Sequence, residues 1–121
     1  MTQTVKRTIS TLGTHHIIEL MGCNKEILDS SEKLEQVFLE AARLAKATII
    51  MSKFHHFSPF GVSGMIIIAE SHFSVHAWPA EGYAAVDIFT CGKIKSRAAI
   101  KYITKELEAQ NYKEKVLLRG I

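Results

Sequence analysis

Two cysteines and two prolines are scarce in a chain of 121 residues. So few cysteines cannot build a disulfide framework and suit a reducing compartment, so a cytoplasmic protein is expected. With 47% apolar and 22% charged residues and little proline, the composition excludes a disordered chain. The longest unbroken apolar run, Met65 to Ala69, is far too short to span a bilayer. Lys6 and Arg7 precede no apolar stretch, so no secretion signal is read and no membrane partner is expected. There is no period of 20 to 50 residues, no CxxC or HExxH metal motif, no GxSxG elbow and no glycine-rich phosphate loop leading into a helix. The length fits one domain over 1–121 with a core of its own.

A further absence is local. No Lys or Arg occurs from Phe54 to Gly92, a gap of 39 residues. That gap holds seven of the ten aromatics, both prolines and four of the six histidines. Eight of the fifteen basic residues follow it. The net charge of +3 therefore belongs mostly to the C-terminal quarter. Lys93, Lys95, Arg97, Lys101 and Lys105 suggest a nucleic-acid patch, but Glu106, Glu108 and Glu114 interrupt it. Tyr102 and Tyr112 are not spaced as a stacking platform, so a solvated helix face is the reading and no nucleic-acid partner is expected.

Residues 1–10 are polar and read as loose. Residues 11–21 are rich in β-branched residues and end at Gly22, which predicts a strand. Asp29 with Glu32 resembles a capping box. Leu34, Val37, Phe38, Ala41, Leu44 and Ala45 then follow the one-face pattern of an amphipathic helix. Strands are predicted over 47–57, 62–69, 73–78 and 83–90, with turns at Ser58–Gly61 and Pro79–Gly82. The strand over 62–69 is apolar enough to be buried on both faces. Ala99, Ile100, Ile103 and Leu107 mark a second helix, and 115–119 a last edge strand. This order predicts an α+β fold, a two-layer sandwich of a mostly antiparallel sheet with two helices on one face.

Most single features have bland readings. His55 and His56 are neighbours on a strand, where one faces in and one out. His72 and His76 lie about 13 Å apart on a strand, too far to share an ion, and no metal is expected. Glu70-Ser71-His72 is harder to dismiss. A carboxylate, a hydroxyl and an imidazole in succession are expensive to bury without partners, and the segment lacks the Gly or Asn of a tight hairpin.

The blocks Phe54-His55-His56-Phe57-Ser58-Pro59-Phe60-Gly61-Val62-Ser63-Gly64, Ala69-Glu70-Ser71-His72, His76-Ala77-Trp78-Pro79, Gly82-Tyr83-Ala84-Ala85 and Phe89-Thr90-Cys91-Gly92 together resemble the prokaryotic S-adenosylmethionine decarboxylase proenzymes. The likeness extends more weakly to Gly13–Cys23 and Arg119-Gly120. It implies a pyruvoyl enzyme that cleaves itself between Glu70 and Ser71, giving a β chain of residues 1–70 and an α chain of residues 71–121. The pyruvoyl cofactor would form from Ser71 and hold an amino-acid substrate as a Schiff base, as an electron sink for decarboxylation. By the same resemblance Ser63 and His76 assist processing, with His76 the base for the Cα proton. Cys91 is the proton donor, since a thiol is largely protonated at neutral pH yet can release its proton. Phe57 and Trp78 match positions that stack on adenine. The family carries Glu after the Trp-Pro pair to bind ribose hydroxyls; this chain has Ala80 there, and Glu81 is the carboxylate at hand. Cys23 falls outside these blocks and reads as packing. The resemblance further implies a homodimer and a small amino-acid-type substrate. S-adenosylmethionine is the leading substrate, on the way to spermidine. Decarboxylation of L-arginine or L-ornithine, or a non-catalytic regulatory homologue, are the alternatives.

Overall fold

The computed structural model describes residues 11–120, so the reading of residues 1–10 as loose falls outside the described residues. Among these, six strands form one antiparallel sheet: β1 (Gly13–Met21), β2 (Ile49–His56), β3 (Val62–Ile68), β4 (Ser71–Trp78), β5 (Tyr83–Thr90) and β6 (Asn111–Arg119). Their order across the sheet is β2-β3-β4-β5-β1-β6. The helices are α1 (Lys25–Leu28), α2 (Ser31–Leu44) and α3 (Ser96–Glu106). The architecture is the expected α+β sandwich, with α2 and α3 packed on one face of the sheet.

Strand side chains alternate between faces, and the sequence puts its apolar set on one of them. Ile66, Phe73, Val75, Val86, Ile88 and Ile18 from the strands meet Leu34, Phe38 and Ala41 of α2 and Ile100 and Ile103 of α3, all buried. Each large side chain buried in this way contributes about 1.5–3 kcal/mol. Cys23 joins this core, where burial pushes its thiol up to about 11.

The helix starts differ from the expected capping box. Asn24 caps α1 by accepting from the Ile27 amide, and Ser30 caps α2 by accepting from the Lys33 amide. Asp29 lies between the two helices, and its carboxylate leaves them altogether. It accepts from the Gly61 amide at 2.9 Å and from His56 Nε2 at 2.8 Å. A capping pattern is a local signal, and a long-range partner outbid it. His55 and His56 also depart from the alternation argument: both are exposed, at the end of β2, beyond the alternation kept at Ser52 and Phe54, and His56 reaches out to Asp29.

Gly64 is required by a close approach. Phe54, its partner across β2 and β3, lies over it, and a Cβ there would meet the ring at 2.1 Å. Gly82 closes the 3-10 turn Pro79–Glu81 at φ 62°, a left-handed conformation suited to glycine. That turn returns the chain so that Trp78 pairs with Tyr83.

The strand β3 was expected to be buried on both faces. Val62, Gly64, Ile66 and Ile68 are buried under the helices, but Met65 and Ile67 are 43% and 40% exposed on the other face. No element among the described residues covers that face.

Candidate active site

The uncovered face carries the side chains that alternate with the core set, most of them polar or aromatic on the central strands. Along β4 these are His72, Ser74, His76 and Trp78; along β5, Tyr83, Asp87 and Phe89; on β1, His15 and Glu19. They gather at the two ends of the sheet and along the band between.

At one end the register sets Ser63 on β3 directly opposite His76 on β4. Ser63 Oγ and His76 Nδ1 are 2.8 Å apart. Around this pair opens a cleft of about 270 Å³ lined by Phe57, Phe60, Trp78, Pro79, Ala80 and Glu81. That is just under the usual range for small-molecule sites of about 300–1,000 Å³, and the cleft is open along one side. The Trp78 ring stacks on Tyr83 at 5.2 Å, which fixes one of its faces, yet it remains 49% exposed. Tyr83 in turn donates its hydroxyl to Glu19, and that bond pushes the phenol up to about 12. On the opposite wall Phe57 packs edge-on against His55 at 4.7 Å. Asp29, through the Gly61 amide, ties the turn bearing Phe57 and Phe60 to the start of α2. Hydrogen bonds from Gly61 and His56 hold its carboxyl below the usual range. The cleft thus offers aromatic faces, a hydroxyl–imidazole pair and one carboxylate.

At the other end is the short connection between β3 and β4. Ser71 has φ 142°, a backbone conformation that side-chain-bearing residues rarely adopt. Such a residue stores on the order of 1–3 kcal/mol of strain, held by its surroundings. The surroundings here are specific. The Glu70 carbonyl oxygen accepts from the Cys91 amide at 2.7 Å, and the Ala69 amide donates to the Thr48 carbonyl at 2.8 Å. The Glu70 carboxylate accepts from the Thr48 amide at 3.1 Å and from its hydroxyl at 3.2 Å. These bonds hold its carboxyl below the usual range. Ser71 Oγ lies 3.5 Å from His72 Nδ1. Cys91 is an exposed free thiol at the end of β5. Gly92 follows it where a Cβ would strike the Glu70 side chain at 2.7 Å.

Between the two ends runs a polar network. His15 Nε2 and Asp87 are 2.9 Å apart, and Ser74 Oγ donates to the same carboxylate at 3.4 Å. The Phe89 ring is flanked by His15 at 5.6 Å and His72 at 5.8 Å, with the Arg119 guanidinium 4.8 Å from its centroid.

The residues singled out in the sequence therefore fall into two groups. Glu70, Ser71 and Cys91 come together. Phe57, Ser63, His76, Trp78 and Glu81 come together elsewhere. His76 lies five residues along β4 from Ser71, which is about 17 Å at the rise of a strand. The sequence reading missed Asp29, assigned there to a helix cap, and Phe60, which lines the cleft beside Phe57. No local pattern distinguishes either one, since their roles depend on contacts 30 or so residues away.

A strained serine peptide, a carbonyl oxygen already holding an amide N–H, and a neighbouring imidazole are the groups that acyl chemistry at an internal serine would use. Comparison with known proteins carries this further. Residues 14–120 match the family model described as S-adenosylmethionine decarboxylase. An S-adenosylmethionine decarboxylase proenzyme of Thermodesulfovibrio yellowstonii is 49% identical over 111 residues, covering 91% of this chain and 82% of the relative. One of Thermococcus onnurineus is 45% identical over 114 residues, covering 93% and 81%. The crystal structure of the adenosylmethionine decarboxylase from Aquifex aeolicus superposes with a TM-score of 0.88 at 35% identity, covering 93% of this chain and 94% of that one. The chain belongs to the S-adenosylmethionine decarboxylase family.

Proposed function

We propose that this chain is a proenzyme that cleaves itself between Glu70 and Ser71 and then decarboxylates S-adenosylmethionine. The observation that carries the cleavage is the geometry at Ser71. The scissile peptide is strained by the positive φ, and its carbonyl oxygen is bonded to the Cys91 amide. Strain raises the ground state, and the amide donor is already placed for the charge that develops on that oxygen. Substrate choice rests on the family and its proenzyme relatives, which favour S-adenosylmethionine over L-arginine or L-ornithine.

The residues at the cleavage end fit a pyruvoyl group made from Ser71, because β-elimination of an ester at that serine leaves the group in place. When formed, it supplies a carbonyl that draws electrons from an attached α-amino acid and so eases loss of CO₂. The chain's own residues do the rest. His76, bonded to Ser63, takes the Ser71 Cα proton during maturation. Cys91 returns a proton to the substrate's α-carbon. Phe57 and Trp78 stack on adenine, which adds about 0.5–1.5 kcal/mol beyond burial. Glu81 accepts from the ribose hydroxyls in place of a carboxylate at Ala80.

The 17 Å between Ser71 and His76 cannot be closed within one sheet. A second copy can close it. Two sheets packed face to face sit about 10 Å apart, and a two-fold axis between them exchanges their ends. The Ser63–His76 pair of one copy then meets the Ser71–Cys91 end of the other. Exposed Met51, Met65, Ile67 and Leu117 supply apolar surface for that contact. The reading is thus a homodimer with composite sites, working on a small amino-acid-type substrate. Two unpaired cysteines suit a reducing cytoplasm. Among the described residues no helix is long and apolar enough to cross a membrane.

Intact mass tests the proposal directly. Fragments of residues 1–70 and 71–121 are expected, the second with a blocked N-terminus. Ser71→Ala stays whole and inactive. CO₂ release from S-adenosylmethionine exceeds that from L-arginine and L-ornithine. An unbroken wild-type chain that still decarboxylates, or a preference for a plain basic amino acid, refutes it.

A further inference from the structure

We propose that His72 is the general base and acid of the first self-cleavage step, taking the proton from the Ser71 hydroxyl and delivering it to the Ser71 nitrogen. The inference rests on the self-cleavage reading above and adds to it a residue of the same copy.

Consecutive strand side chains ordinarily point to opposite faces. Ser71 and His72 do not, and the reason is visible in the backbone. The φ of 142° turns the serine so that its Oγ comes within 3.5 Å of His72 Nδ1. The strained torsion therefore does two things. It loosens the scissile peptide, and it brings a hydroxyl onto an imidazole. The contact is long for a hydrogen bond, as such contacts often are before the reacting geometry tightens.

The imidazole is well placed for the task. Its ring packs on Phe89, and its partners in the sheet are Ile67 and Phe89, neither of which can take the proton. Three charged or titratable groups face it: His15 from β1, Asp87 from β5 and Arg119 from β6. Burial is the main influence, and it lowers the His72 pKa; His15 and Arg119 lower it too, against Asp87. A neutral ring can accept a proton. His76, in contrast, lies at the far end of β4 in the same copy and is already engaged with Ser63.

The step balances without an outside reagent. The Ser71 Oγ–H proton passes to His72 Nδ1 as Oγ bonds to the Glu70 carbonyl carbon. The carbonyl oxygen takes negative charge and keeps its bond from the Cys91 amide. The carbon–nitrogen bond then breaks, and the proton on His72 goes to the Ser71 nitrogen. The result is an ester between Glu70 and the Ser71 oxygen beside a free amine, with no net gain or loss of protons. His76 acts afterwards, at Cα, so the two imidazoles serve different steps.

The test follows fragment formation in freshly translated chains. His72→Gln keeps size and polarity but cannot cycle a proton, and its cleavage is expected to slow by about 100-fold or more, the usual share of a general base. Hydroxylamine separates the two steps, because it cuts the ester between residues 70 and 71 but not the peptide. His76→Ala accumulates hydroxylamine-sensitive chain, whereas His72→Gln and His72→Ala do not. Added imidazole restores cleavage to folded His72→Ala, a readout that a packing role would not give. Wild-type cleavage rates in His72→Gln, or hydroxylamine-sensitive ester building up in it, overturn the proposal. If the wild-type chain itself never splits, the self-cleavage reading fails first, and the two failures are distinguishable.

Discussion

Mixing two inactive chains should restore cleavage if the site is shared between copies. Consider Ser71→Ala, which lacks the nucleophile, and His76→Ala, which lacks the Cα base. Each alone leaves both sites of its own dimer defective. Coexpressed in equal amounts and assorting at random, they give about half mixed dimers. In a mixed dimer one site pairs the intact Ser71 of one copy with the intact His76 of the other, and the second site has neither. About half of the His76→Ala chains should therefore split, and decarboxylation should return to about a quarter of the wild-type level. The arithmetic depends on the register. Ser63 and His76 sit opposite each other, five residues along β4 from Ser71, so about 17 Å separates the halves in one chain. The assay is intact mass of a tagged His76→Ala chain, with pull-down through a second tag to count mixed dimers. Abundant mixed dimers with no split chain refute the composite site. Full cleavage of His76→Ala alone refutes the role of His76.

Asp29→Asn removes the charged anchor of the Phe57–Gly61 turn, so a several-fold rise in KM for S-adenosylmethionine is expected while self-cleavage keeps its rate; quenching of Trp78 fluorescence by adenosine checks it. Glu81→Gln gives the same pattern, and a 2′-deoxyadenosyl substrate then shows little further loss. Glu114, on β6, is half-buried, and Arg97 holds it at 2.8 and 3.0 Å and His16 at 2.8 Å. Arg97, then His16, keeps its carboxyl below the usual range. A group with a lowered folded pKa stabilises above its unfolded value and loses that contribution as pH falls through the folded one. Glu114→Gln should thus cost about 1–2 kcal/mol near neutral pH, a drop of several degrees in Tm. The two melting curves should converge in acid, and a constant difference across pH counts against the ion-pair account.

Much of the fold was legible because its signals are local. The apolar spacing from Leu34 to Ala45 marks α2, and the alternation in 73–78 and 83–90 marks β4 and β5. The family was legible through ordered blocks, among them Glu70-Ser71-His72 and the aromatic turn at Phe57–Gly61. The errors have a common cause. Asp29 looked like a helix cap, since capping is read over four residues, but its partners are 27 and 32 residues away. Met65 and Ile67 looked buried on both faces, since hydrophobicity says that cover is needed and not what provides it.

By itself the sequence determined the family likeness, carried by blocks from Phe54 to Gly92, and which faces of its strands and helices are apolar. Those properties reside in residue type and short spacing. Only the tertiary structure decided that these residues form two groups, because strand register, a long-range property, sends Ser63 and His76 to one end of the sheet and Ser71 and Cys91 to the other. It also decided that Ser71 meets His72, since a positive φ held by Thr48 and Cys91 turns the serine against the alternation of its own strand.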